Sequence, residues 1–187
     1  MAGNMIDGFR KAAPNAEIIW IDGNHEFRLW RTYMELCAKD SKVLEVLGAL
    51  DIKALDTDSL LHLADRGVDY QPYGGHADFL GFIITHGDIV RQHSSFTAKA
   101  MYDKWHSSGA GGHTHRLGCY HFTDGTGRTH AWYEIGMTCQ MTLEYVSNPN
   151  WQSGFGYGEV LRNKLHFNLA NIFDNALVIP EVGVFQP

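Results

Sequence analysis

Histidine, asparagine and acidic side chains stand beside glycine at three places in this chain of 187 residues, which contains eleven histidines. The three segments are Gly23-Asn24-His25-Glu26, Thr85-His86-Gly87-Asp88 and Gly112-His113-Thr114-His115-Arg116. Imidazole nitrogens and amide oxygens bind divalent metal ions, and imidazole also transfers protons near neutral pH. The residue types therefore predict metal or acid–base chemistry.

The first segment follows a short apolar run, residues 18–21, that indicates a buried strand leading into a helix. Ligands of open α/β sheets gather at the carboxyl ends of the strands. There Asn24 could coordinate a cation, His25 could transfer a proton and Glu26 could orient an imidazole. The alternative is a simple helix start, because asparagine is a favoured cap and glutamate suits the first turn.

The other two segments also follow strand-like runs. An apolar run over 79–85 ends at His86, and a short strand near Ala110 leads into the glycines before His113. Two histidines at i and i+2 can face one ion if the backbone is irregular. The alternative is a regular strand that carries His113 and His115 on its solvent face.

The remaining pattern predicts a mixed α/β protein, with one domain spanning residues 1–187. Helices are predicted at 5–13, 27–37, 42–50, 59–64 and 96–106, the last with Ser94 as its N-cap. Strands are predicted at 18–21, 68–73, 79–85, near 110, at 117–122 and 129–135 as a hairpin, and at 155–161, 164–170 and 176–180. Residues 148–150 are expected to break the chain between the hairpin and the last strands.

Composition narrows the function classes. The net charge of −6 and the absence of a Lys/Arg run argue against broad, sequence-independent nucleic-acid binding. Three well-separated cysteines, without a signal-peptide pattern or a long apolar run, predict a cytoplasmic protein, in bacteria or in phage-infected cells, that makes no membrane contact.

In combination, GNHE, then HGD, then GHTH resemble the calcineurin-like metallophosphoesterase family, in which the last three motifs follow this order. The similarity extends to phage- and prophage-encoded members and covers roughly residues 5–160. It implies a β-sandwich flanked by helices and two divalent metal ions that clamp a phosphate ester. Manganese is the expected metal, with iron, zinc or nickel as alternatives.

The resemblance also implies roles for individual residues. Asn24, His86 and His113 would bind one metal ion and His115 the other. His25 would act as general acid beside the leaving group, with Glu26 orienting it. Arg116 is a candidate for holding either substrate or neighbouring structure.

Two motifs of the family are absent. No aspartate in the chain satisfies DxH, and its one Gly-Asp pair, Gly87-Asp88, does not continue as GDxxD. The site would therefore lack two metal ligands and the bridging aspartate, and the N-terminal part of the fold would be missing. An open strand edge would then favour self-association, or a partner segment would supply the missing motifs.

Two functions follow as expectations. The first is metal-dependent hydrolysis of a phosphomonoester or phosphodiester, such as a nucleotide or nucleic acid, by a site that is incomplete in this chain. The alternative is a catalytically inactive structural or interaction protein built on the same fold.

Overall fold

The computed structural model describes residues 2–49, 56–139, 149–179 and 183–185. They belong to two compact units, Met1–Gly75 and His76–Pro187. The expectation of one domain across 1–187 stays a prediction. Among the described helices, none has both the length and the apolarity needed to cross a membrane.

The first unit combines helices with a small parallel sheet. Its helices are α1 (Ala2–Ala12), α2 (Asn24–Lys39), α3 (Ser41–Gly48) and α4 (Thr57–Leu61), and its strands are β1 (Ile18–Ile21) and β2 (Val68–Gln71). The two strands pair in parallel, with Ile18 opposite Val68. Ile6 of α1, Leu63 and Val68 form the buried core. The core therefore joins α1 to the sheet and to the turn that precedes β2.

The second unit is mostly β-structure. Its elements are β3 (His76–Phe79), β4 (Phe82–Thr85), α5 (Phe96–Trp105), β5 (Gly109–Gly111), β6 (Leu117–Thr123), β7 (Thr129–Ile135), β8 (Gly154–Leu161), β9 (Lys164–Phe173), β10 (Ala176–Ile179) and β11 (Gly183–Phe185). One sheet has the order β3-β4-β5-β7-β6, and the other has the order β11-β10-β9-β8.

The three central strands of the five-stranded sheet are parallel. Thr85 of β4 lies opposite Gly111 of β5, and Gly111 lies opposite Glu134 of β7. The carboxyl ends of these strands consequently lie at one edge of the sheet. The residues that follow Thr85 and Gly111 emerge side by side.

The core of the second unit requires glycine in its central strand. Trp132 of β7 is fully buried and packs with Ile83, Ala98 and Met101. A Cβ atom at Gly109 would lie 2.5 Å from the Trp132 ring and 2.6 Å from the carbonyl oxygen of Ile83. The indole thus occupies the space that any side chain at position 109 would need.

The four-stranded sheet is built from tight turns. Arg162-Asn163 and Asp174-Asn175 all have positive φ, as two-residue hairpins of type I′ require. Phe167 of β9 stacks on Phe82 with ring centroids 4.9 Å apart, and its ring lies at the same distance from Tyr133. These aromatic contacts join the two sheets of the second unit.

Most of the predicted elements are confirmed, including the α/β class and the hairpin of β6 and β7. The single strand predicted at 79–85 is wrong. Leu80 and Gly81 both have positive φ and form a turn between β3 and β4, where the Gly81 N–H donates to the Asp78 side chain. The predicted helix end at 50, strand end at 180 and break at 148 lie outside the described residues.

The prediction of Ser94 as the helix N-cap is also wrong. Ser95 occupies that position, and its own side chain makes no capping bond. Ser94 instead donates its hydroxyl to the carbonyl of Leu117. Two N–H groups at the start of α5, those of Ser95 and Ala98, donate to Glu134, a residue distant in sequence.

Candidate metal centre

The Gly23-Asn24-His25-Glu26 segment begins α2 directly after β1. Gly23 is the N-cap, and its N–H donates to Oε2 of Glu26 over 2.9 Å. Asn24 is half-buried and His25 is exposed. The observed contact of Glu26 is therefore the helix-start contact, and its expected role in orienting His25 stays a prediction.

Asp22, directly before this segment, was not singled out from the sequence. It is 6% exposed. Its carboxylate accepts hydrogen bonds from Trp20 Nε1 at 2.9 Å, Tyr70 OH at 2.7 Å and Thr57 Oγ1 at 3.1 Å. Burial, and then the bond to Asp22, raise the pKa of Tyr70. Asp22 thereby fixes the end of β1 from which Asn24 and His25 emerge.

His86 and His113 meet at the carboxyl ends of β4 and β5. Nε2 of His86 lies 3.2 Å from Nδ1 of His113. Two nitrogens each about 2.0–2.1 Å from one ion are about 2.8–3.4 Å apart when the ligand angle lies between about 90° and 109°. The separation therefore suits two adjacent ligands of a single metal ion. Without an ion, one imidazole donates its N–H to the other.

A very small cavity adjoins this pair. A cavity of about 10 Å³ is bordered by both histidines, Met101, Trp132 and Glu134. That volume is close to the minimum for a single water molecule. The cavity beside the pair is therefore at the lower limit of the volume that one water molecule needs.

The His113-Thr114-His115 segment is an irregular loop, so the alternative of a regular strand is wrong. His113 has φ 58° and His115 has φ 57°. The Thr114 N–H donates to the Gly112 carbonyl over 2.6 Å, which makes His113 the centre of a three-residue turn. With positive φ this turn is the rare, strained form, and such strain clusters at functional sites.

His115 points to a different neighbour from His113. Its ring packs edge-on against Trp151, with centroids 4.7 Å apart, and its carbonyl accepts from the Gln152 N–H over 2.9 Å. The structure therefore brings His86 and His113 together, and it places His115 against the segment that precedes β8. Its expected role at a second metal ion stays a prediction.

Glu134 of β7 is a functional candidate that the sequence reasoning missed. It is 2% exposed. One carboxylate oxygen accepts from the N–H groups of Ser95 at 2.7 Å and Ala98 at 3.3 Å, and the other accepts from Thr114 Oγ1 at 2.7 Å. The available signal was the alternation of β7, because Glu134 shares the inward face with Trp132.

Arg116 holds neighbouring structure, which is the second of its two expected roles. It is 7% exposed, and its guanidinium donates to the carbonyls of Arg91 at 2.6 Å and Gln92 at 2.8 Å. Its Nε lies 3.9 Å from the Glu134 carboxylate. These contacts pin the segment after His86 to the loop that carries His113.

The donor set is partial. Within the described parts of the chain, no three His, Cys, Asp or Glu side chains are arranged to hold a metal ion. His86 and His113 fit two ligand positions, and an amide oxygen, water or the phosphate of a substrate can complete such a set. Two neutral imidazoles suit manganese, iron, zinc or nickel.

Comparisons with protein-family models, with curated proteins and with solved structures find no match to this chain.

Proposed function

We propose that this chain binds a divalent metal ion at the carboxyl ends of β4 and β5 and hydrolyses phosphate esters, as calcineurin-like metallophosphoesterases do. The observation that carries the proposal is the 3.2 Å approach of His86 Nε2 to His113 Nδ1. Manganese is the first candidate, with iron, zinc or nickel next. The substrate class is a phosphomonoester or phosphodiester, which includes nucleotides and nucleic acids.

Two further observations support the family assignment. HGD and GHTH follow neighbouring parallel strands, the arrangement in which strand-end ligands converge. The contacts of Phe167 with Phe82 and Tyr133 join two sheets, as the expected β-sandwich requires. The same proposal includes a fold whose N-terminal part, with DxH and GDxxD, is missing from this chain.

Each of the candidate residues has its own role in this proposal. His86 and His113 hold the ion, and a bound divalent ion supplies charge neutralisation and activation of water for attack on phosphorus. By the resemblance, His25 would be the general acid that protonates the leaving oxygen. Glu26 holds the helix start that carries His25. Arg116 maintains the loop and leaves phosphate binding to other groups.

The first test is Mn(II)-dependent hydrolysis of an aryl phosphodiester by the purified chain, with a chelated control and a His25→Ala variant. We expect weak, metal-dependent turnover that His25→Ala lowers by about 10²-fold or more. Turnover that chelation leaves unchanged would contradict the proposal.

The second test measures metal affinity directly. His86→Ala should weaken Mn(II) binding at least about tenfold, because it removes one of two convergent imidazoles. His166→Ala is the matched control, since His166 is exposed on β9. Equal affinities for the two variants would remove His86 from the site. Asn24→Ala tests the amide ligand predicted from the sequence in the same titration.

The alternative function is a catalytically inactive structural or interaction protein built on the same fold. It predicts a stable oligomer whose mass, measured by light scattering, does not change when metal is chelated. A monomer in chelator, together with metal-dependent turnover, would reject this alternative.

A further inference from the structure

The loop that presents His113 needs an external support. Both histidines of the loop lie in the left-handed region, at φ 58° and φ 57°, which side chains other than glycine rarely adopt. Backbone of this kind persists only where the surroundings over-determine it. The residue between the two histidines, Thr114, is therefore the natural point of attachment.

Thr114 is anchored by a buried hydrogen bond. It is 7% exposed, and its hydroxyl donates to Oε2 of Glu134 over 2.7 Å. The bond fixes the middle of the loop to strand β7, the parallel neighbour of β5. Any rotation of the loop that displaces His113 must therefore stretch this bond or carry Thr114 with it.

Glu134 is itself held from two other directions. Its second oxygen accepts from Ser95 and Ala98 at the amino end of α5, at 2.7 Å and 3.3 Å. Arg116 places its Nε 3.9 Å from the carboxylate and its other nitrogens on the carbonyls of Arg91 and Gln92. A helix amino end and a guanidinium both favour a carboxylate at this position.

We propose that Glu134 is the positioning residue of the metal site. Through the Thr114 hydroxyl it holds the His113–His115 loop in the conformation that sets His113 Nδ1 beside His86 Nε2. Glu134 touches neither metal nor substrate in this role; it acts through Thr114. The part of this inference that concerns metal binding rests on the proposed function. The part that concerns the conformation of the His113–His115 loop applies to the metal-free protein.

Thr114→Val and Thr114→Ser form the decisive pair. Valine keeps the shape of threonine and removes the hydroxyl, whereas serine keeps the hydroxyl. Neither change affects the hydrogen bonds that the Ser95 and Ala98 N–H groups donate to Glu134, so the cap of α5 is preserved. Glu134→Gln adds a variant that keeps the shape of Glu134 and removes its charge.

The first readout is Co(II) binding followed by its visible absorption spectrum. Thr114→Val should weaken Co(II) affinity about tenfold and shift the absorption bands, because supporting contacts of ligands typically change affinity about 10–100-fold. Thr114→Ser should restore the wild-type values. An affinity and spectrum unchanged in Thr114→Val, with tight binding by the wild type, would overturn the positioning role and leave the proposed function standing.

The second readout needs no metal. Imidazole ¹⁵N shifts of His86 and His113 in the metal-free protein should move in Thr114→Val and Glu134→Gln and stay in place in Thr114→Ser. Unmoved shifts would overturn the inference regardless of metal binding. Failure of the wild type to bind Co(II) or Mn(II) would instead count against the proposed function and against the metal half of this inference, which separates the two failures.

Discussion

The segment at the start of α2 and the loop after β5 hold their polar side chains by different means. The first is an ordinary helix start, in which Glu26 accepts from Gly23 three residues earlier and His25 remains exposed. The second is a strained loop anchored by the buried carboxylate of Glu134, 20 residues after Thr114. The same carboxylate accepts from the start of α5 at Ser95, 39 residues earlier in the chain.

The difference separates local from tertiary support. A helix cap forms wherever the helix forms, so Gly23–Glu26 needs only its own neighbours in sequence. The loop with His113 and His115 needs β7 in place, because Glu134 lies on that strand. The two motifs should consequently respond very differently when one glutamate is removed from each.

The largest expected effect is the difference in stability between the Glu134→Ala and Glu26→Ala variants. Glu134→Ala leaves Ser95, Ala98 and Thr114 without their shared acceptor and Arg116 without its buried countercharge. We expect the free energy of unfolding to fall by about 3–5 kcal/mol. Glu26→Ala removes one part-buried cap contact and should lower the free energy of unfolding by about 1 kcal/mol. Urea titration followed by tryptophan fluorescence measures both.

Similar losses of unfolding free energy in the two glutamate variants would contradict this distinction, because local and tertiary support would then contribute equally to stability. A separate unfolding transition for each unit would sharpen it. Glu134→Ala should shift one transition only, and Glu26→Ala the other.

Asp22→Asn tests whether the first region has a buried support of its own beneath the helix start. The amide offers one acceptor oxygen in place of two, against three donors from Trp20, Thr57 and Tyr70. We expect the free energy of unfolding to fall by about 1–3 kcal/mol.

The matched control for this change is Asp69→Asn, because Asp69 is exposed on the neighbouring strand β2. It should change the free energy of unfolding by less than about 0.5 kcal/mol. A loss for Asp69→Asn as large as that for Asp22→Asn would show that general charge, and not the buried cluster, supports the end of β1.

The smallest expected effect is the change in thermal stability at alkaline pH, which tests Tyr70 alone. Burial and the bond to Asp22 raise the pKa of Tyr70 above its unfolded value, so the phenol favours the folded state below that value. This contribution is lost as pH rises from the unfolded pKa towards the higher folded pKa. Raising pH from about 8 to about 11 should therefore lower Tm more in the wild type than in Tyr70→Phe. Equal shifts in both would remove Tyr70 from the cluster's pH response.

Local patterns were sufficient to predict most elements and their order. The apolar run before Asp22-Gly23 predicted β1, the run that ends at His86 predicted the end of β4, and the segment before Gly111-Gly112 predicted β5. The turn residues around Asp124 predicted the hairpin of β6 and β7. The Asp124 carboxylate accepts from the Thr126 side chain and from backbone N–H groups of the turn. The pKa of Asp124 is lowered by hydrogen bonds to its carboxylate, most by that of the Thr126 hydroxyl and less by those of His130 and the Arg128 N–H. Such turns are local and thus visible in sequence.

Side-chain partners across the fold were not predictable in this way. Ser94 looked like a helix cap because serine suits that position, yet Glu134 of β7 satisfies the amino end of α5. Arg116 was a candidate for holding either substrate or neighbouring structure, and the contacts of its guanidinium with the carbonyls of Arg91 and Gln92 are visible only in the fold. Both outcomes depend on which strand lies beside which, and spacing in sequence does not carry that information.

The sequence alone therefore determined the α/β class and the histidines that follow β4 and β5, because strand periodicity and glycine stops act over a few residues. Only the tertiary structure decided that His86 and His113 meet at 3.2 Å and that a buried glutamate holds their loop. Those contacts arise from the parallel pairing of β4, β5 and β7, which brings together residues distant in sequence at one edge of a sheet.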